Sequence, residues 1–102
     1  MVEVTQEFLK EHLEYRDGHL WWVKHRGNVK IGQQFGAVVH GYRRGQLFNK
    51  VYPEHRLIWL YHYGVWPKDQ LDHINGNPGD NRVENLREVT NQQNQFNKKS
   101  LV

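Results

Sequence analysis

The chain has 102 residues, no cysteine, and a net charge of +3 from 14 Lys and Arg against 11 Asp and Glu. That length allows one domain, or a domain with a small appendage. The lack of cysteine excludes disulfides, thiolate nucleophiles and thiolate metal sites, so any metal must be held by oxygen and imidazole. Mean hydropathy is −0.89, no apolar run approaches the ~18 residues of a membrane span, and Met1 to Glu7 shows neither a basic start nor an apolar leader. The expectation is a cytoplasmic protein without a membrane partner. An isoelectric point near 9.3 is a mild bias toward polyanions.

In chain order, Thr5 predicts a helix cap, with the helix running to about Tyr15 and Phe8, Leu9 and Leu13 on one side. Asp17-Gly18 reads as a turn and His19 to Lys24 as a strand rich in β-formers. Arg26-Gly27-Asn28 breaks it. Phe35 to Val39 predicts a second strand, and Tyr42 to Phe48 with Lys50 to Tyr52 a hairpin turning near Asn49. Pro53 suits the first turn of a helix through Tyr63 that stops at Gly64. Trp59, Leu60 and Tyr63 are expected in the core. Trp66-Pro67 marks a candidate boundary, with an N-terminal α+β region over 1–66 and a compact module over 67–102. In the second part, Gln70 to Ile74 and Leu86 to Val89 read as two strands around a polar loop. Thr90 then caps a final helix from Asn91 to about Lys99.

The densest chemistry lies in Asp72-His73-Ile74-Asn75-Gly76, Asp80-Asn81-Arg82, Glu84-Asn85-Leu86-Arg87 and Asn94. A carboxylate, an imidazole and several amides on a strand–loop–strand–helix pattern suit one hard divalent cation and one activated water. Oxygen donors favour magnesium or manganese. Neutral imidazole, with a reference pKa near ~6.5, accepts a proton at pH 7. Adjacent strand residues face opposite sides, so Asp72 and His73 serve one site only if the strand end bends.

These residues, with His55-Arg56-Leu57 and Trp66-Pro67, resemble the phage and intron-associated HNH endonucleases, in the branch whose last motif position is Asn. The resemblance is close from about Tyr42 to Asn97 and looser before that. It implies an α+β fold: a small N-terminal antiparallel sheet with helices that orients DNA, followed by a ββα-metal module. It implies a magnesium- or manganese-dependent DNA endonuclease with one divalent ion per site, leaving 5′-phosphate and 3′-hydroxyl ends. By the same resemblance, Asp72 and Asn94 would be metal ligands, His73 the general base, and Asn85 the residue that braces the loop and orients His73. Asn81 is the alternative bracing amide.

Arg43, Arg44, Lys50, Arg56, Arg82 and Arg87 are candidate contacts to the DNA backbone. For Arg82 and Arg87 the competing reading is an ion pair with Glu84 or Glu88. At the helix start, His55-Arg56 meets an anion or His55 simply packs. The expected partner is double-stranded DNA, engaged by a monomer or weak dimer. Two other readings remain: a DNA-binding module that kept the fold without the activity, and a nonspecific DNA or RNA nuclease.

Overall fold

The Thr5 hydroxyl accepts the Phe8 N–H at 3.1 Å and opens α1 (Gln6–His12) in the structure, a computed structural model that describes residues 3–90. The helix expected to reach Tyr15 ends at His12. Asp17 and Gly18 both take positive φ, 50° and 85°, and join β1 (Leu13–Arg16) to β2 (His19–Trp22) as an antiparallel hairpin. A two-residue Asp-Gly turn of this hand matches the twist of its flanking strands. The ladder it closes therefore claims the residues that would have extended the helix.

The next three strands form a meander of β3 (Ala37–Val39), β4 (Tyr42–Leu47) and β5 (Lys50–Pro53). The strand expected over 35–39 starts two residues late because Gly36, at φ 71°, turns the chain. Phe35 instead donates its N–H to Leu20 O at 2.8 Å. Its buried ring abuts Gly45, where a Cβ would sit 2.6 Å from Phe35 Cζ. Pro53, expected inside the helix, closes β5, and α2 (Glu54–Tyr63) follows. Gly64, at φ 77°, ends α2 with its N–H on Leu60 O at 2.9 Å.

Helix α2 packs on α1 and on β2, β4 and β5. Its Leu57, Ile58 and Leu60 are buried, each contributing roughly 1.5–3 kcal/mol. Trp59 is partly buried against the core, whereas Tyr63, expected there, is 54% exposed.

Beyond Pro67, β6 (Gln70–His73) pairs antiparallel with β7 (Leu86–Val89), placing Asp72 opposite Arg87 and His73 opposite Leu86. Asn85, expected to open the second strand, closes a short 3-10 turn over Val83–Asn85. The final helix expected over 91–99, and Asn94 with it, lie outside the described residues. Over the described residues the architecture is α+β: three small antiparallel sheets around two helices. Leu86 shares one apolar cluster with Leu9, Leu13, Leu20, Leu57 and Ile58, so chain on both sides of Trp66-Pro67 builds the same core. No described helix is long and apolar enough to cross a membrane.

One close approach positions the site. A Cβ on Gly18 would lie 2.9 Å from the Arg82 backbone nitrogen and 2.9 Å from its Cγ. The β1–β2 turn thus rests directly on the loop that carries Asn81. Gly18→Ala is expected to lower stability by about 2–3 kcal/mol, combining a left-handed alanine with a backbone clash. Gly27, at φ 56° with nothing within 4 Å of its Cβ position, is the control. Gly27→Ala should cost only about 1 kcal/mol, and urea unfolding of the two variants measures the difference.

Candidate active site

Strand β6 delivers Asp72 and His73 to one small cleft of about 180 Å³, lined also by Tyr42, His55, Leu71, Gly76 and Pro78. Two consecutive strand residues share it because the strand stops there. The Gly76 N–H bonds His73 O at 2.8 Å, and the Ile74 N–H bonds Asn85 O at 2.8 Å. These bonds curl the chain sharply after His73, with Gly76 at φ 75°.

The loop from 74 to 85 is knitted by amides. Asn85 Oδ1 accepts the Asn75 N–H at 3.1 Å, and Asn85 Nδ2 donates to Asn75 Oδ1 at 3.0 Å and to Asp80 O at 2.9 Å. Asn77 and Gly79 add two short side-chain-to-backbone turns. The imidazole of His73 is held elsewhere, by Asn81: His73 Nε2 lies 2.7 Å from Asn81 Oδ1.

Asn81 in turn donates Nδ2 to Glu54 Oε1 at 3.0 Å. Glu54 is fully buried at the start of α2, and it accepts from His19 Nδ1 at 3.2 Å and from the Leu20 N–H at 3.1 Å. Three donors and a helix N-terminus surround this carboxylate, the setting in which a buried acid is tolerated. The hairpin of β1 and β2 braces the loop a second time, because the Tyr15 hydroxyl accepts the Val83 N–H at 3.1 Å.

On the outer side, Arg87 Nε and Nη2 both bond Asp72 Oδ2, at 3.1 and 2.9 Å. Oδ1 has no hydrogen-bond partner among the described residues. Arg82 grips Asp80 with two bonds of 2.8 Å. This grip holds the Asp80 carboxyl well below the usual carboxylate range and pushes the guanidinium up.

His55 stands 5.1 Å from His73 between ring centroids, with Tyr42 6.3 Å from both. Burial first, then the neighbouring His73 and Arg56 charges, push the His55 pKa from 6.5 down to about 4. The unfolded chain therefore binds this proton more readily than the folded one. Stability should fall as pH drops from about 6.5 to about 4, with no further loss from this group below that. Urea midpoints across that window check it, and His55→Gln should flatten the slope.

Residues 52–96, which contain the whole of this cleft-forming hairpin, match the family model described as HNH endonuclease. Over this segment the chain is similar to the HNH endonucleases. The matched segment is a little under half of the chain and runs across the Trp66-Pro67 position. No curated protein and no solved structure gave a significant match. The family is one of nucleic-acid hydrolases that typically use a divalent metal.

Against that family pattern, the expected site residues divide. Asp72 and His73 meet in the cleft, and Asn85 bonds the loop between the two strands. Of the six candidate DNA contacts, four are already engaged. Arg43 Nη1 donates to Phe35 O and Gly36 O at 3.2 and 2.9 Å, and Arg44 Nη2 reaches Val39 O at 3.5 Å. Arg82 and Arg87 bond Asp80 and Asp72, not Glu84 or Glu88. Lys50 and Arg56 line a separate, larger hollow of about 580 Å³ beside Tyr52 and Trp66, which shares no lining residue with the cleft.

Glu54, His19 and Tyr42 went unnoticed in the sequence. An acidic residue at a helix start is commonplace, and nothing in its neighbours marks it as buried.

The cleft's donor set suits a hard cation: it holds a carboxylate oxygen with no partner among the described residues, and the chain has no cysteine. No group of three or more His, Cys, Asp or Glu side chains forms a metal cage among the described residues. A cation held at Asp72 would therefore need oxygen donors beyond the acidic and imidazole side chains described.

Proposed function

We propose that this chain is an HNH-type, metal-dependent DNA endonuclease in which His73 is the general base. The reading rests on the pairing of Asp72 and His73 in one cleft, with the His73 ring fixed on one side and open on the other. Asp72, through the Oδ1 that has no partner among the described residues, would hold magnesium or manganese with Asn94. When bound, the cation offsets the negative charge that gathers on the phosphate and on the departing 3′ oxygen.

His73 takes a proton from water as the water oxygen bonds to phosphorus. The bond from phosphorus to the 3′ oxygen breaks, and that oxygen takes a proton from solvent to end as a hydroxyl. The imidazolium returns its proton to solvent. The products are a 5′-phosphate and a 3′-hydroxyl. One histidine of this kind per chain makes a nick the natural outcome for a monomer.

Supercoiled plasmid incubated with the chain should convert to the open-circular form with magnesium or manganese and stay supercoiled with EDTA. End-labelling of the product should show a 5′-phosphate. Plasmid left intact with every divalent metal would overturn the assignment.

Arg87 supplies a second, finer prediction. Its guanidinium competes with a cation for Asp72, so Arg87→Gln should tighten manganese binding several-fold, and added salt should shrink the gain. Titration calorimetry of the metal without DNA measures both.

A further inference from the structure

We infer that Glu54 is a positioning residue that selects which ring nitrogen of His73 is free to act. The inference rests on the proposed role of His73 and assigns a function to a side chain that never meets the cleft. His19, Glu54, Asn81 and His73 form one continuous chain of hydrogen bonds from the β1–β2 hairpin to the cleft.

Its polarity follows from its buried end. Glu54 Oε2 accepts the Leu20 N–H, so this carboxylate oxygen is an acceptor facing a backbone donor that cannot turn away. Glu54 Oε1 accepts from His19 and from Asn81. A carboxylate can only accept, so the amide of Asn81 must present its NH2 to Glu54 and its oxygen to His73. An oxygen at 2.7 Å from His73 Nε2 requires that nitrogen to carry the hydrogen. The neutral ring is then the Nε2–H tautomer, and the lone pair lies on Nδ1. Nδ1 has no hydrogen-bond partner among the described residues. Asn81 is 2% exposed and Glu54 fully buried, so water does not replace a link in the relay.

Glu54→Gln inverts this logic while keeping size and shape. Its oxygen must face the Leu20 N–H, since the alternative sets two donors against each other. Its NH2 then faces Asn81, whose amide turns over and offers NH2 to His73 Nε2. The ring responds by moving its hydrogen to Nδ1, the nitrogen needed to accept water's proton. Glu54→Asp is the opposite case: it loses a methylene and some packing but remains an acceptor, so the polarity survives.

The test is a long-range 1H–15N spectrum of the histidine-labelled, metal-free full chain at alkaline pH, read together with plasmid nicking. Wild type should show a pyrrole-like Nε2 and a pyridine-like Nδ1 for His73. E54Q should exchange the two signatures and lower kcat by about 100-fold or more, with KM little changed. E54D should keep the wild-type signatures and retain more activity than E54Q. A purely structural role predicts the reverse order, because glutamine is the better steric match.

A wild-type His73 protonated on Nδ1, or an E54Q variant with unchanged signatures, overturns the relay. If E54Q fails to fold, the wild-type spectrum decides alone. Wild type that cleaves DNA with Nδ1 protonated sinks the relay and spares the nuclease reading. Wild type with the expected tautomer and no cleavage under any divalent metal sinks both the nuclease reading and the purpose given to Glu54.

Discussion

Replacing His73 by alanine should reduce plasmid cleavage by about 100- to 10,000-fold, the range that a positioned general base contributes. Binding of duplex DNA should change little, because the candidate phosphate contacts are elsewhere on the chain. The ring is nearly buried and bonded to Asn81, so its loss leaves Asn81 Oδ1 without a donor at a cost of about 1–3 kcal/mol. That is a fraction of the roughly 5–15 kcal/mol that holds a typical domain together, and the variant should remain folded. Cleavage, gel-shift and thermal unfolding measured on one preparation separate the three effects. Wild-type cleavage by the alanine variant would remove His73 from the mechanism altogether.

The largest stability effect is expected at Glu54. Glu54→Ala strands the Asn81 amide, the His19 ring and the Leu20 N–H around an apolar gap. Breaking a buried, fully satisfied carboxylate in this way should cost about 3–5 kcal/mol. Glu11 is the comparison. It pairs with Lys24 at 2.7 Å on the open surface, where solvent and salt screen the attraction, and Glu11→Ala should leave the urea midpoint where it was. A Glu54→Ala midpoint equal to wild type would show that the three donors find other partners.

Local chemistry made several elements readable. Thr5 caps its helix, Gly64 ends α2, and the two strands expected on either side of the polar loop are present as β6 and β7. Each of these depends on residues within a few positions of one another. The errors came where distant pairing overrode a local preference. Leu13 to Arg16 had helical company, but the Asp17-Gly18 turn offered them a strand partner. Phe35 had strand character, but its ring was drawn to Gly45.

The site shows the same division. Asp72, His73 and the loop amides lie within one short stretch and could be read together. Glu54 is 27 residues from Asn81 and 35 from His19 along the chain, so no spacing rule links them. Likewise, the partners of Arg82 and Arg87 depend on loop closure and strand register. Register alone sets Arg87 opposite Asp72, whereas the competing expectation paired these arginines with Glu84 or Glu88.

The hairpin formed by residues 13–22 has a consequence for anyone who would cut and paste the proposed activity. Grafting the Asp-His loop onto a foreign DNA reader would carry the reagents without their compass. Tyr15, His19 and Leu20 would be left behind, and the imidazole would be free to swing and to choose its own proton. A transplant should therefore bring the first hairpin and the helix that begins at Glu54 as a single cassette.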